Sequence, residues 1–446
     1  MYWSRKPANE QSFRGFESPS FRMKRSDFEI MAPVGSYESL AAAINAGANS
    51  IYFGVGKLNM RSHSANTFSI DDLREIAEQC KKNNVKSYLT VNTIIYEEDV
   101  SDMHEIIDAA VEAQISAIIA SDVAVMMYCR RVGMEVHLST QLNISNIEAL
   151  RFYAQFADVV VLARELNMWQ VSAIWKQIQE QKICGPSGRL IRIEMFCHGA
   201  LCMAVSGKCY LSLNNAGRSA NRGECVQICR RGYEVTDLET GSKLNIDNKY
   251  IMSPKDLKTI EFIDIMMKAG VRVFKIEGRA RGPEYVQTVV SCYDEAIQIV
   301  LKSIGDEGKS EELEKVKEEW NIRLATVFNR GFWDGYYQGA KLGEWCEVYG
   351  NKATEKKVYV GKCLKYFSNI GVGEFLIENE ELTVHDKILV IGTTTGALIQ
   401  TADEIRYDLQ PVERAEKGQR ISIKVNEKVR PNDKLYKLAR RTITLN

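Results

Sequence analysis

Five of the eleven cysteines fall between Glu194 and Tyr233, and four of them, Cys202, Cys209, Cys225 and Cys229, are spaced C-x6-C-x15-C-x3-C. Gly, Ser and Asn surround them, and these suit the irregular backbone that four ligands converging on one centre require. Structural zinc sites usually bring their thiolates in short knuckles, and only Cys225 and Cys229 form such a pair. Four soft thiolates spaced this way favour an iron–sulfur cluster, with zinc or unliganded cysteines as the alternatives. Disulfides are the weakest reading, because nothing else in the chain looks secreted. The fifth, Cys197, precedes His198 on an expected strand, where neighbours point to opposite faces, and is read as core.

Such a loop needs a scaffold that brings other side chains to the same place. From Phe28 onward, short apolar runs alternate with amphipathic stretches, which predicts βα units around a parallel sheet. The expected strands are Phe28–Ala32, Ser50–Gly54, Lys86–Asn92, Ala117–Ser121, Glu135–Thr140, Val159–Ala163, Arg192–Cys197 and Val273–Gly278. Eight strands close a TIM-like (β/α)8 barrel, and the Gly-rich phosphate loop of an open dinucleotide-binding sheet is missing after the first. The expected organisation is a flexible tail over 1–26, with Met23 as good a start as Met1, and a barrel over 27–303 carrying the cysteine insertion 197–260. A helical and aromatic connector over 304–355 and a small C-terminal β-barrel over 356–446 follow.

Chemistry in such barrels sits at the carboxyl ends of the strands. The polar residues there are Asn92, Asp122, Gln141, Asn143, Arg164, Glu165, Glu194, His198, Glu277 and Arg279. Arg164, Glu194, His198, Glu277 and Arg279 are the catalytic candidates; Asn92, Asn143 and Lys275 are candidates for substrate contact. A Glu or Arg at a strand end also makes structural ion pairs, and Glu277 with Arg279 could pair on one face. Arg218, Arg222, Arg230 and Arg231 crowd the cysteine loop and suit phosphates.

After the last barrel strand, Pro283 opens a helix to about Leu301, and Gly305 to Glu312 is a solvated, linker-like charge run. The aromatics between Asn329 and Tyr337 either stack bases or pack on the barrel. Short strands at Val358–Leu364, Glu374–Ile377, Lys387–Ile391 and Arg420–Val425 mark the terminal barrel.

Residues His198 to Tyr233, with Met31-Ala-Pro-Val-Gly35, Ser253-Pro-Lys-Asp-Leu257 and Lys275-Ile-Glu-Gly-Arg279, closely resemble the signature of the peptidase U32 family, above all its tRNA-hydroxylating branch. The resemblance implies that Cys202, Cys209, Cys225 and Cys229 carry an iron–sulfur cluster, taken as 4Fe–4S. Some members place a cysteine just after the Ser-Pro-Lys-Asp-Leu motif, where this chain has Lys258, and so Cys229 is taken as the fourth ligand. It further implies hydroxylation of carbon 5 of the tRNA wobble uridine, prephenate-dependent and without molecular oxygen, whereas other relatives act on a ribosomal cytidine or the ubiquinone ring. Prephenate is a dicarboxylate, and Arg164, Arg279 and Lys275 are groups that bind one. The terminal segment resembles the second domain of translation elongation factors in its strand pattern, which suggests an RNA-facing module.

The family label also implies proteolysis. No His-Glu-x-x-His helix exists, since His104-Glu105 is followed by Asp108 where the second His should stand, and Gly-x-Ser-x-Gly is absent. A non-catalytic iron–sulfur RNA-binding protein is the other alternative. Lys plus Arg equal Asp plus Glu at 58 each, so tRNA must be met by a local basic patch. No apolar run is long enough to span a bilayer and no signal-peptide core is seen, so a cytoplasmic protein is expected.

Overall fold

The computed structural model describes residues 23–62, 68–234, 236–243, 252–303, 310–340, 343–346 and 350–441. Eight parallel strands follow one another around a closed barrel: β1 (Glu29–Pro33), β2 (Ser50–Phe53), β3 (Lys86–Val91), β4 (Ala117–Ala120), β5 (Val136–Leu138), β6 (Val159–Val161), β7 (Arg192–Gly199) and β8 (Val271–Ile276). Closure comes from β8, which pairs with both β7 and β1. Every expected barrel strand is present, with ends shifted by a residue or two. Strands such as β4 are buried along their whole length because the barrel interior covers one face and helices cover the other. Met31, Tyr52, Tyr88, Ala117, Ile119, Val159 and Val273 fill the interior.

One irregularity matters for the site. In β7, Phe196 pairs with Lys275 and His198 with Ile276, so Cys197 is the extra residue of a bulge. Strict alternation would send His198 inward with Glu194 and Phe196. The bulge breaks that alternation, and His198 instead packs outside the barrel against Tyr285, Tyr293 and Phe332.

The insertion after β7 holds a short helix, Leu211–Ala216, and then a short strand, Asp256–Lys258, that runs antiparallel to the end of β7. Phe332–Trp333 pairs beside that strand, and the buried Tyr337 donates to the Phe196 carbonyl at 3.0 Å. The aromatic segment is thus packing, not a stacking platform. The helix from Pro283 extends to Ser303. Part of the expected charge run, 304–309, lies outside the described residues; its end, Ser310 to Glu312, opens the helix Ser310–Thr326, which buries Trp320 and Leu324. Most of the expected tail, 1–22, also lies outside the described residues, but Arg25 is fixed to Asp294 at 2.7 Å.

The C-terminal segment forms antiparallel sheets. Glu355–Phe367 and Lys434–Arg440 lie at the centre of the larger one, and Val360, Phe375, Ile388, Val390, Ile421 and Ile423 belong to its core. This unit is seated on the barrel: Leu389 and Ala397 belong to the barrel's outer core, and Asn45 donates to the Thr395 carbonyl at 3.2 Å. Among the described residues no helix is long and apolar enough to cross a membrane.

Candidate active site

The carboxyl ends of the strands and the cysteine loop enclose a cavity of ≈ 220 Å³. Its wall includes Cys202, Cys209, Cys225 and Cys229, so the loop brings all four thiols to the barrel mouth. They are free thiols; Cys202 is exposed and the other three are half-buried. Burial raises the pKa of the Cys229 thiol, and the neighbouring Cys202, Cys225 and Cys209 add to that rise while the Arg230 guanidinium opposes it. Among the described residues no three His, Cys, Asp or Glu close on a single metal-ion position. The four thiols share one chamber and are the residues that could hold a metal centre there.

The rest of the wall is strongly cationic. Arg61, Arg164, Arg230, Lys275, Arg279, Arg281 and Arg330 line it against one carboxylate, Glu277. Burial alone would raise the Glu277 pKa, but the guanidiniums of Arg61, Arg279 and Arg164 outweigh it and hold the value at about 2. Arg61 Nη2 donates to Glu277 Oε1 at 2.8 Å, and the Tyr52 hydroxyl donates to Oε2 at 3.2 Å. The expected Glu277–Arg279 pair is therefore replaced by one with Arg61.

Arg279 is buried with its Nη1 on Thr90 Oγ1 at 2.8 Å and Asn59 Oδ1 at 3.2 Å. Its seat explains a glycine. A Cβ on Gly35 would stand 2.1 Å from the Arg279 carbonyl oxygen, so only glycine lets the loop after β1 approach. Arg164 lies with Cζ 4.2 Å from the Phe196 ring centroid and makes one long bond, 3.4 Å, to the Ala200 carbonyl. Its buried Nε has no partner among the described residues. Lys275, in the cavity wall, pairs at 2.8 Å with Glu194, a catalytic candidate that does not itself line the cavity, and among the described residues Glu194 Oε2 has no donor.

Several expected residues stand elsewhere. His198 is absent from the cavity wall; burial, with Lys258 nearby, depresses its pKa to about 3, so it is a neutral core residue. Asn92 lines the cavity and bonds Ser139 at 3.1 Å, and Gln141 also lines it. Asn143 ties the cysteine loop down through the Ser206 carbonyl at 3.2 Å, Asp122 caps a helix, and Glu165 is exposed. Of the four loop arginines, Arg218 and Arg231 are exposed. Arg222 instead pairs with Asp99 and lies over Tyr96, and Arg230 donates to Ser253 Oγ, the Pro254 carbonyl and the Leu201 carbonyl. Those two depart from the expectation of phosphate contact, because acceptors inside the protein already hold them. Lys258 and Cys197 do not line the cavity. Tyr52, Arg61, Arg281 and Arg330 were not anticipated. A search for arginines two residues beyond a strand-end arginine would have found Arg281, but no periodic signal marks the others.

An eight-stranded βα barrel with four cysteines and a ring of cations at its mouth defines the class. The chain belongs to peptidase family U32, whose family model matches residues 35–347. It is 65% identical over 419 residues to a protein named collagenase from Porphyromonas gingivalis, covering 94% of this chain and 100% of that one. It is 33% identical over 346 residues to tRNA hydroxylation protein P1 of Bacillus subtilis, covering 76% and 77%. The 23S rRNA 5-hydroxycytidine C2501 synthase of Escherichia coli is 29% identical over 387 residues, covering 86% of this chain and 56% of the relative.

Proposed function

We propose that this protein is an iron–sulfur enzyme that hydroxylates a pyrimidine base of RNA, with carbon 5 of the tRNA wobble uridine as the target. The reaction depends on prephenate, a dicarboxylate, and does not use molecular oxygen. The observation that carries the reading is a single chamber holding four free thiols and seven cationic side chains against one lining carboxylate. Two relatives named for hydroxylation of tRNA and rRNA bases support the RNA assignment.

Cys202, Cys209, Cys225 and Cys229 would hold the cluster, which when bound supplies one-electron exchange at the mouth. The remaining work belongs to the chain's own side chains. Arg164, whose buried Nε has no partner among the described residues, and Arg279, locked by Thr90 and Asn59, hold the carboxylates of the cosubstrate. Glu277 stays ionised at every physiological pH and so is no proton donor; it anchors Arg61 and balances part of the positive wall. Phe196 and Tyr52 give the base an apolar side to lie against and keep water from it.

Nucleoside mass spectrometry of tRNA and rRNA from a deletion strain tests the reading. Loss of 5-hydroxyuridine-derived nucleosides from tRNA is the expected result. Loss confined to a ribosomal cytidine would move the target to rRNA, and no change in either RNA would remove the function.

Proteolysis is the second reading, because a relative of such high identity carries the name collagenase. The site does not support it. Cys197 Sγ is buried on the Lys275 carbonyl, and its neighbour His198 bonds Tyr293 away from the cavity, so the two form no nucleophile–base pair facing a substrate.

A further inference from the structure

A second cavity, ≈ 560 Å³, lies between the barrel and the C-terminal sheets, and Ala280 and Arg281 line both it and the mouth. Arg281 is the notable group in that shared wall. Its Cζ sits 3.4 Å from the centroid of the Phe328 ring, which fixes the plane of the guanidinium. Among the described residues that guanidinium makes no hydrogen bond and no ion pair. The carboxylates nearby are already taken, Glu277 by Arg61 at 2.8 Å and Asp256 by Arg330 at 3.4 Å. A half-buried guanidinium with every donor unused is a group awaiting a planar anion.

The cavity behind it extends the same chemistry. Of the cations in its wall, Arg323 is held by Glu295 at 2.6 Å and Arg441 donates to the Asn351 carbonyl at 3.1 Å, whereas Lys356 has no ion pair among the described residues. Its two lining carboxylates are neutralised, Glu284 by Lys357 at 2.9 Å and Glu355 by Lys387 at 3.0 Å. A free small anion would need one such cation. Two cations without an ion pair, Arg281 in the wall shared with the reaction chamber and Lys356 in the wall of the cleft between domains, match a ligand whose negative charges repeat.

We infer that Arg281 clamps a backbone phosphate of the RNA strand, and that the interdomain cavity carries the nucleotides on one side of the reacting base. This rests on the RNA reading above. With its plane already set by Phe328, Arg281 meets a phosphate through two parallel N–H groups, and Lys356 meets the next as a point charge.

Fluorescence anisotropy with the full chain and a labelled anticodon stem-loop RNA, over a salt series, tests the clamp. Arg281→Gln should weaken binding about tenfold and lower the salt slope by about one. Lys356→Glu, at an exposed position where folding is not at stake, should weaken it by a similar factor. Wild-type affinity and slope in both variants would overturn the clamp and leave the RNA reading standing. No RNA affinity in the wild-type protein would sink both. Millimolar inorganic phosphate, tested alone, separates the remaining source. If it raises the melting temperature of the wild type but not of Arg281→Gln, while RNA binding is unaffected by the substitution, the site takes a free anion and the strand path is wrong.

Discussion

Glu277 shows how this site sets charge residue by residue. It is the single lining carboxylate among seven cations, and its folded pKa of about 2 lies below the ordinary 4.5 because Arg61, Arg279 and Arg164 overcome the burial that would raise it. A depressed carboxylate stabilises the fold in full above the unfolded value, and that stabilisation is lost as pH falls from 4.5 through about 2. The size is roughly 3 kcal/mol at one pH unit per 1.36 kcal/mol. Urea unfolding at a series of pH values should therefore show wild type losing about that much more stability than Glu277→Gln across this window. Equal acid limbs in the two proteins would mean that the pair with Arg61 contributes nothing. The same residue explains why the sequence misled: the strand ends at Ile276, so Glu277 and Arg279 share no strand face, and Arg279 is held by Thr90 and Asn59 while Arg61, from a loop without periodic pattern, takes the carboxylate.

At the scale of elements, what was legible followed from periodicity. The barrel strands are short apolar runs and the helices between them have a polar face, so number, order and closure could be read directly. Two details could not. The helix Ser310–Thr326 falls within the expected helical connector, but its start is obscured because its first residues, Ser310 to Glu312, read as part of a solvated charge run. The bulge at Cys197 inverts the facing of His198 without leaving any mark on composition, and it moves that residue from the expected catalytic set into the helix layer. The cysteine loop behaves differently, because its spacing alone chose four thiols that the fold does gather. Protein purified without oxygen should contain iron and acid-labile sulfide that disappear when Cys202, Cys209, Cys225 or Cys229 is changed to Ser. Cys197→Ser should keep both, at a cost of roughly 1–2 kcal/mol for its buried position on the Lys275 carbonyl. Stoichiometric zinc without sulfide would end the cluster assignment, and iron lost from Cys197→Ser would show a different ligand set.

At the scale of the whole molecule, the terminal sheets are not an appendage. Leu389 and Ala397 are only 0% and 6% exposed within the barrel's outer core, and a Cβ on Gly396 would fall 2.7 Å from the Ala42 backbone nitrogen. The two units therefore share apolar surface, and removing the sheets would bare the helix Tyr37–Asn45. Truncation is for this reason a poor way to ask what the sheets do, and single substitutions such as Lys356→Glu are the sound alternative. Shared burial also couples the units thermodynamically, since neither can unfold without exposing the other's face to water. Calorimetry of the intact chain should give one cooperative transition, and Gly396→Val, which forces the sheet off the helix, should split or broaden it with a loss of roughly 1–3 kcal/mol. Two well-separated transitions in the wild-type protein would show that the interface is weak and that the cleft between the units opens freely.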